Sequence, residues 1–137
     1  MPESLPQKPP KSPILLDDAY YSLFLRGIRT VGGVSVLGTE YIVPFKAKAY
    51  LDLKARREAG ENVDSRKVKK HKRDALRLAQ LLGESESVDL RGELKDDMLA
   101  FVKDCKVGDV NLKQIGVAGA TMVQLLETMK ATYGLIG

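Results

Sequence analysis

The sequence contains no tryptophan, one cysteine and one histidine among its 137 residues. A single cysteine cannot form an internal disulfide, and one cysteine with one histidine cannot supply the four ligands of a usual zinc site. The scarcity of cysteine is typical of a reducing compartment and predicts a cytoplasmic protein. A nucleophilic pair of Cys105 and His71 is formally open, but Cys105 falls on an apolar helical face, where packing as a small hydrophobic residue is the more economical interpretation.

Long apolar runs and familiar catalytic motifs are also absent. No stretch approaches the roughly 18 apolar residues of a membrane-spanning helix, and the N-terminus lacks the apolar core of a signal peptide. The sequence has no Gly-rich phosphate loop followed by Lys-Ser/Thr, no nucleophile elbow and no pair of histidines on a helix. We therefore predict that the protein has no membrane partner. None of these motifs identifies a catalytic or metal-ligating residue.

Proline is unevenly distributed, because five of the six prolines lie within residues 1–13. This composition disfavours helix and offers little to bury. We interpret residues 1–12 as a disordered lead, or as a scar left where a longer chain was cut, and residues 13–137 as a single domain. A PxxP-type ligand is the functional alternative for the lead.

The next residues predict a strand, a cap and a helix. Ile14–Leu16 is a short apolar run, and Ala19–Leu25 has apolar residues at helical spacing. Asp17 and Asp18 lie between the two. Paired carboxylates at a strand end can hold a divalent metal, but an aspartate directly before an apolar helical run is more often an N-cap, and we favour the cap.

Gly32 and Gly33 predict a β-hairpin, because they separate the segments Arg29–Val31 and Val34–Leu37 and suit the primed turns of two-residue loops. After the hairpin, Thr39 can cap a short helical turn. Pro44 then fits the first turn of a new helix, where its missing N–H costs nothing.

Apolar residues at helical spacing predict four long helices in the remaining sequence, over residues 45–60, 64–82, 93–105 and 121–133. Asp64 or Ser65 caps the second of these. Thr121 and Gln124 form a capping box before the fourth, and Gly134 ends it. The predicted fold class is therefore α+β and mostly helical, with a short strand and a β-hairpin on the N-terminal side followed by about four helices.

Positive charge is concentrated in the first two of these helices. The stretch from Phe45 to Arg77 has twelve Lys and Arg against five Asp and Glu, a net charge of +7 in a chain whose total is +4. Most of the cations lie in the first half of the second helix, near the positive end of its dipole, which is locally unfavourable. A negative group is therefore expected nearby, either Asp64, Asp74, a partner or a phosphate. A solvated basic face explains the composition equally well.

Five residues of this stretch are candidates for binding a substrate or nucleotide: Lys46, Lys48, Lys70, His71 and Asp74. Lys70 and Asp74 are four residues apart on one helix face and can pair. A lysine from the first helix can also meet an aspartate of its antiparallel neighbour. Such a pair either orients a nucleotide phosphate or ties the two helices together. His71 is rotated toward the core, which favours a hydrogen-bonded structural histidine over a catalytic base.

At these residues a family resemblance appears. The run VPFKAKAYLDLKARREAGENVDSRKVKKHKRDALRLAQLL is similar to the C-terminal half of bacterial nucleotidyltransferase-like proteins, the broad group that includes the AbiEii-type toxins of toxin–antitoxin systems. That group pairs a lysine in a K-x-A helix with a later KH-x-x-D or KD-x-x-D helix. The upstream segments LLDDAYYSLFLRG and VSVLG also resemble it, so the similarity extends from about Ser12 to Tyr133. Lys46 and Asp74 match the family motifs best, with Lys48, Lys70 and His71 as neighbours.

The sequence departs from the family at the metal site. Those enzymes have a Gly-Ser and an Asp-x-Asp on their first strands, whose carboxylates hold magnesium ions that bridge the nucleotide phosphates. This chain has no Gly-Ser followed by Asp-x-Asp. The resemblance thus implies a C-terminal helical segment that contributes nucleotide-facing Lys and Asp, while Mg²⁺ and a nucleoside triphosphate would be cofactors only of a longer protein that has the full site. Catalysis by this chain alone is not expected.

Two other functions are compatible with the sequence. The cations from Arg66 to Arg73 can serve a nucleic-acid-binding module, although aromatic residues are few there. The part of the chain from Gly83 onward has nine acids and six bases, which suits an antitoxin-like or other protein-interaction domain that faces a basic partner. If this chain is the C-terminal half of a larger protein, the predicted strand and hairpin lack the strands of the missing half with which they would pair. We therefore expect a symmetric homodimer through the N-terminal β region, with the basic helices exposed.

Overall fold

A computed structural model describes residues 18–83 and 85–135. In chain order the elements are α1 (Asp18–Gly27), β1 (Ile28–Val31), β2 (Val34–Leu37), α2 (Thr39–Glu58), α3 (Ser65–Ala79), α4 (Glu93–Asp104), a 3₁₀ helix (Leu112–Ile115) and α5 (Met122–Tyr133). The predicted class, α+β and mostly helical with an N-terminal hairpin, is confirmed. The strand predicted at Ile14–Leu16, the proline-rich lead and Asp17 lie outside the described residues. Asp18, the other candidate cap, is the first residue of α1.

The core forms where α2 and α3 pack against each other and α4 and α5 cover them. α2 contacts α3 more extensively than any other pair of elements does. Apolar side chains from all five helices are fully or almost fully buried in one cluster, among them Tyr20, Leu23, Val43, Leu76, Met98, Phe101, Leu125, Met129 and Tyr133. The shared core fixes the α2–α3 pair, which has most of the positive charge, against the rest of the chain.

α2 begins earlier than the sequence predicts and passes through Pro44 without a break. The expected short turn from Thr39 and the expected new helix at Pro44 are one helix, so that prediction was wrong. A proline inside a helix leaves the carbonyl four residues earlier, here that of Glu40, without its N–H donor. The buried hydroxyl of Tyr133 donates to this carbonyl at 2.7 Å. A residue that is distant in sequence therefore supplies the hydrogen bond that the Glu40 carbonyl loses to the proline.

The β-hairpin has the predicted position and turn. Ile28 pairs with Leu37 and Val31 with Val34, and positive φ angles at Gly32 (58°) and Gly33 (80°) give a primed turn. In this register Val31, Val34 and Val36 share one face of the ribbon. Their side chains are 62%, 61% and 40% exposed, so no described part of the chain covers this face.

Local capping signals are confirmed at the helix ends. The carboxylate of Asp64 accepts from the N–H of Arg66 and caps α3, which ends at Ala79 instead of at the predicted Leu82. Thr121 and Gln124 form the predicted capping box, and α5 ends at Gly134, whose φ is 64°. Across residues 18–83 and 85–135, none of the helices is both long and apolar enough to span a bilayer.

Candidate functional site

Two of the predicted site residues meet between α2 and α3. The Nζ atom of Lys46 on α2 lies 3.4 Å from Oδ2 of Asp74 on α3, although 28 residues separate them in sequence. Lys70, one turn before Asp74, donates to the same oxygen at 3.3 Å. The other oxygen of Asp74 faces Arg77, whose guanidinium is 3.6 Å away. We call Lys46, Lys70, His71, Asp74 and Arg77 the Asp74 cluster.

The carboxylate of Asp74 is the buried centre of this cluster, since the residue is only 8% exposed. Burial by itself would raise the pKa of Asp74. The hydrogen bond from Lys70 and the charge of Lys46 outweigh that effect and hold the pKa below its usual value. Asp74 is therefore ionised at neutral pH and fixes the position of the cations around it.

His71 lies beside these charges with its ring partly buried. Burial, followed by the positive charge of Lys46, lowers the pKa of His71, while Asp74 acts in the opposite direction. The imidazole is therefore neutral at neutral pH. Its Nδ1 atom is buried and has no hydrogen-bond partner among the described residues. The expectation of a fully hydrogen-bonded structural histidine is thus not met at this atom, which stays available as a donor or acceptor.

Lys48 does not join the Asp74 cluster. Its Nζ atom lies 3.2 Å from Asp52 and 3.8 Å from Asp97 on α4, and 5.4 Å from the centre of the Tyr20 ring. Two residues along a helix correspond to a rotation of about 200°, so Lys46 and Lys48 emerge on opposite sides of α2. The structure therefore brings together four of the five predicted site residues and places the fifth in a separate ion-pair network.

A second basic region lies at the other end of the α2–α3 pair. It includes Lys69, Lys72 and Arg73 of the cluster that the sequence suggests for nucleic-acid binding, but its other residues were not predicted. It is a cleft of about 830 Å³ between α2, α3 and the segment from Asp104 to Ile115. Six cations line it, namely Lys54, Arg57, Lys69, Lys72, Arg73 and Lys106, against the three acids Glu58, Asp104 and Asp109. We call this region the basic cleft.

Asp104 organises the inner wall of the basic cleft. Its carboxylate accepts from the Tyr50 hydroxyl, from Lys54 at 2.6 Å and from Lys72 at 3.4 Å. Burial works against ionisation, but the hydrogen bonds from Lys54 and Tyr50 and the charge of Lys72 lower the pKa of Asp104 to about 2. Lys72 also binds Asp109 at 3.0 Å and lies 5.3 Å from the centre of the Tyr50 ring.

The spacing of the three α3 cations is a sequence signal for half of the cations that line this cleft. Lys69, Lys72 and Arg73 are three and four residues apart, so they share one face of α3. Asp104 gave no such signal, because its pairing with Tyr50 and Lys54 depends on how α4 crosses α2. Sequence reasoning therefore treated the cations from Arg66 to Arg73 as one patch. The structure places Arg66 at the Asp64 cap, Lys70 in the Asp74 cluster, and Lys69, Lys72 and Arg73 in the basic cleft, while Lys67 belongs to none of the three.

The described residues bring no three His, Cys, Asp or Glu side chains together in a group that could hold a metal ion. Magnesium, which the family resemblance implies, would thus need carboxylates from elsewhere. Comparisons with models of protein families, with curated proteins and with solved structures gave no match to this chain. The geometry of the two basic sites is therefore the basis for inferring a function.

Proposed function

We propose that this chain is the C-terminal helical segment of a cytoplasmic nucleotidyltransferase-like protein, in which the Asp74 cluster contacts the phosphates of a nucleotide. The single observation that carries the proposal is the meeting of Lys46 and Asp74 across the α2–α3 interface. These are the two positions that match the motifs of the family best. Their contact does not follow from either helix alone.

The charge balance of the cluster supports a phosphate ligand. Three cations surround one carboxylate, and with a neutral His71 the cluster has a net charge of +2. The side chains of Lys70, Arg77 and Lys46 are 69%, 50% and 31% exposed. Each can therefore direct N–H donors toward solvent while it forms an ion pair with the buried Asp74. Ammonium and guanidinium groups form short, strong hydrogen bonds to phosphate oxygens.

In this arrangement the residues position a ligand and do not perform a chemical step. Lys46 and Lys70 are oriented by Asp74, and Arg77 is further fixed because its Nε donates to the carbonyl of Ile115 at 2.9 Å. N–H donors that are already fixed in position lose less conformational entropy on binding an anion than mobile side chains do. A magnesium ion bound elsewhere in such a protein would supply the charge that activates the phosphoryl group.

Fluorescence titration with a labelled nucleoside triphosphate tests this proposal. Lys46→Met should weaken binding by about tenfold or more, since a charge-assisted hydrogen bond contributes about 1.5 to 3 kcal/mol. Lys48→Met is the matched control, because it makes the same change two residues away on the opposite side of α2. Its affinity should equal that of the wild type.

The structural alternative, in which the cluster only ties α2 to α3, gives a different pattern. Lys46→Met would then lower the melting temperature while leaving nucleotide affinity unchanged. Equal loss of affinity in both lysine variants would also reject the proposal, because it would show that net charge alone governs binding.

A further inference from the structure

The four cations at the rim of the basic cleft have no acidic partner within residues 18–83 and 85–135. They are Arg57 on α2, Lys69 and Arg73 on α3, and Lys106 just after α4. All four are exposed. Like charges gathered from three elements repel one another, and none of the four rim cations forms an ion pair that would offset this repulsion within the described residues.

The inner wall of the cleft is different, because most of its charge is already neutralised. Asp104 binds Lys54 and Lys72, and Asp109 binds Lys72. Glu58 is the only other acid that lines the cleft. The cleft thus has an internally ion-paired base and a rim of cations without ion-pair partners among the described residues. This arrangement suits a ligand with several separated negative charges better than a ligand with one.

We infer that the basic cleft binds single-stranded nucleic acid through its phosphodiester backbone. A single strand presents one phosphate per nucleotide along a flexible chain, which can enter a concave groove and meet cations on each wall. This site is separate from the Asp74 cluster and does not depend on the nucleotide proposal. The two share α2 and α3, but they use different residues.

The aromatic content of the cleft indicates how selective this binding is. Tyr50, the aromatic residue of the cleft, is buried beneath Lys54 and Lys72 and cannot stack on a base. The amide side chains of Asn111 and Gln114 remain as groups that can reach base edges. Backbone contacts therefore dominate, and binding should be strongly salt-dependent with little sequence preference.

Fluorescence anisotropy with a short, fluorescein-labelled single-stranded RNA of mixed sequence tests the inference. If four phosphates are neutralised, the slope of log affinity against log salt is about −3, equivalent to a loss of about 50-fold between 50 and 200 mM salt. Lys69→Gln and Arg73→Gln should each make this slope shallower by about 0.7. Circular dichroism of each variant verifies that it is folded.

Lys67→Gln is the matched control. Lys67 is exposed on the same helix and does not line the cleft, so the variant should keep the slope and affinity of the wild type. Equal weakening by Lys67→Gln would overturn the inference, because it would show a diffuse basic face. Absence of binding at about 50 mM salt would also overturn it.

Two competitors test the class of ligand. Duplex DNA of the same sequence should displace the labelled RNA poorly, because only the rim of the cleft can meet a rigid duplex. Poly-glutamate should also displace it poorly, because carboxylates fixed to a peptide lack the spacing of the phosphates. Displacement by either polymer as effective as that by unlabelled single-stranded RNA would contradict the assignment. Lys46→Met should leave RNA binding unchanged, which separates this test from the test of the Asp74 cluster.

Discussion

The hydroxyl of Tyr133 donates a hydrogen bond to the main-chain carbonyl of Glu40 at 2.7 Å. Glu40 precedes Pro44 by four residues, so no helical N–H reaches this carbonyl. The bond connects the end of α5 to the first turn of α2, six residues before Lys46. The C-terminal helix therefore helps to hold the part of α2 on which the Asp74 cluster is built.

We predict that Tyr133→Phe destabilises the fold by about 1 to 3 kcal/mol, the usual cost of leaving a buried polar group unsatisfied. The measurement is urea unfolding of the wild type and the variant. Pro44→Ala restores an N–H that can reach the Glu40 carbonyl, so Tyr133→Phe should cost less in that background. An equal cost in both backgrounds would show that the hydroxyl does not compensate for the proline.

Asp104 should dominate the acid sensitivity of the basic cleft. Its folded pKa of about 2 lies below the ordinary value of 3.8, so its ionised form stabilises the fold above pH 3.8 and this contribution is lost as the pH falls toward 2. Asp104→Asn should therefore lower the free energy of unfolding by about 2 kcal/mol at neutral pH. The difference from the wild type should shrink in acid.

Urea unfolding between neutral pH and pH 2 tests this point, with Asp96→Asn as the control. Asp96 lies on the same helix but is exposed, so its removal should change stability little. A similar effect of both substitutions would count against a special role for the Asp104 network.

His71 should make the fold less stable as the solution becomes mildly acidic. Its folded pKa lies below the ordinary value of 6.5, so the unfolded chain binds the proton more readily than the folded chain does. Stability is therefore complete above pH 6.5 and falls as the pH drops through that value toward the folded pKa. The charges that face the ring are Lys46 and Lys70, which oppose its protonation, and Asp74, which favours it. His71→Gln should remove this pH dependence. Urea unfolding of the wild type and the variant above and below pH 6.5 measures it. A pH dependence of the same size in the variant would contradict the prediction.

The valine face of the hairpin predicts self-association. A second copy can cover this face, and two copies related by a two-fold axis would bury the same residues from each protomer. We expect a dimer in sedimentation velocity at micromolar concentration and a monomer for Val34→Lys. Val123→Lys, the same substitution at an exposed valine of α5, should remain dimeric. A monomeric wild type would show that the valine face is not an interface between copies.

The elements that sequence predicts well are those set by neighbouring residues. The Thr121–Gln124 capping box, the Gly32–Gly33 turn and the Asp64 cap each depend on groups within a few residues, and each is present. Pro44 was misread because its compensation comes from Tyr133, which is remote in sequence. Helical spacing anticipated the pairing of Lys70 with Asp74.

The candidate sites divide in the same way. The meeting of Lys46 with Asp74 was expected for two antiparallel helices joined by a short turn. Lys48 was grouped with Lys46 because the two are close in sequence, but helix geometry separates them. The basic cleft could be predicted only if the position of Asp104 were known. That position depends on how α4 crosses α2, which no local sequence pattern indicates.

If nucleotide phosphates bind beside His71, as we propose, the imidazole of this residue reports on them directly. His71 is the only histidine of the chain, so its ring signals in an NMR spectrum are unambiguous. The measurement is a pH titration of these signals with and without a saturating nucleoside triphosphate. A bound phosphate adds negative charge next to Lys46 and Lys70, so the pKa of His71 should rise. An unchanged pKa at saturating nucleotide would show that no phosphate binds beside this ring.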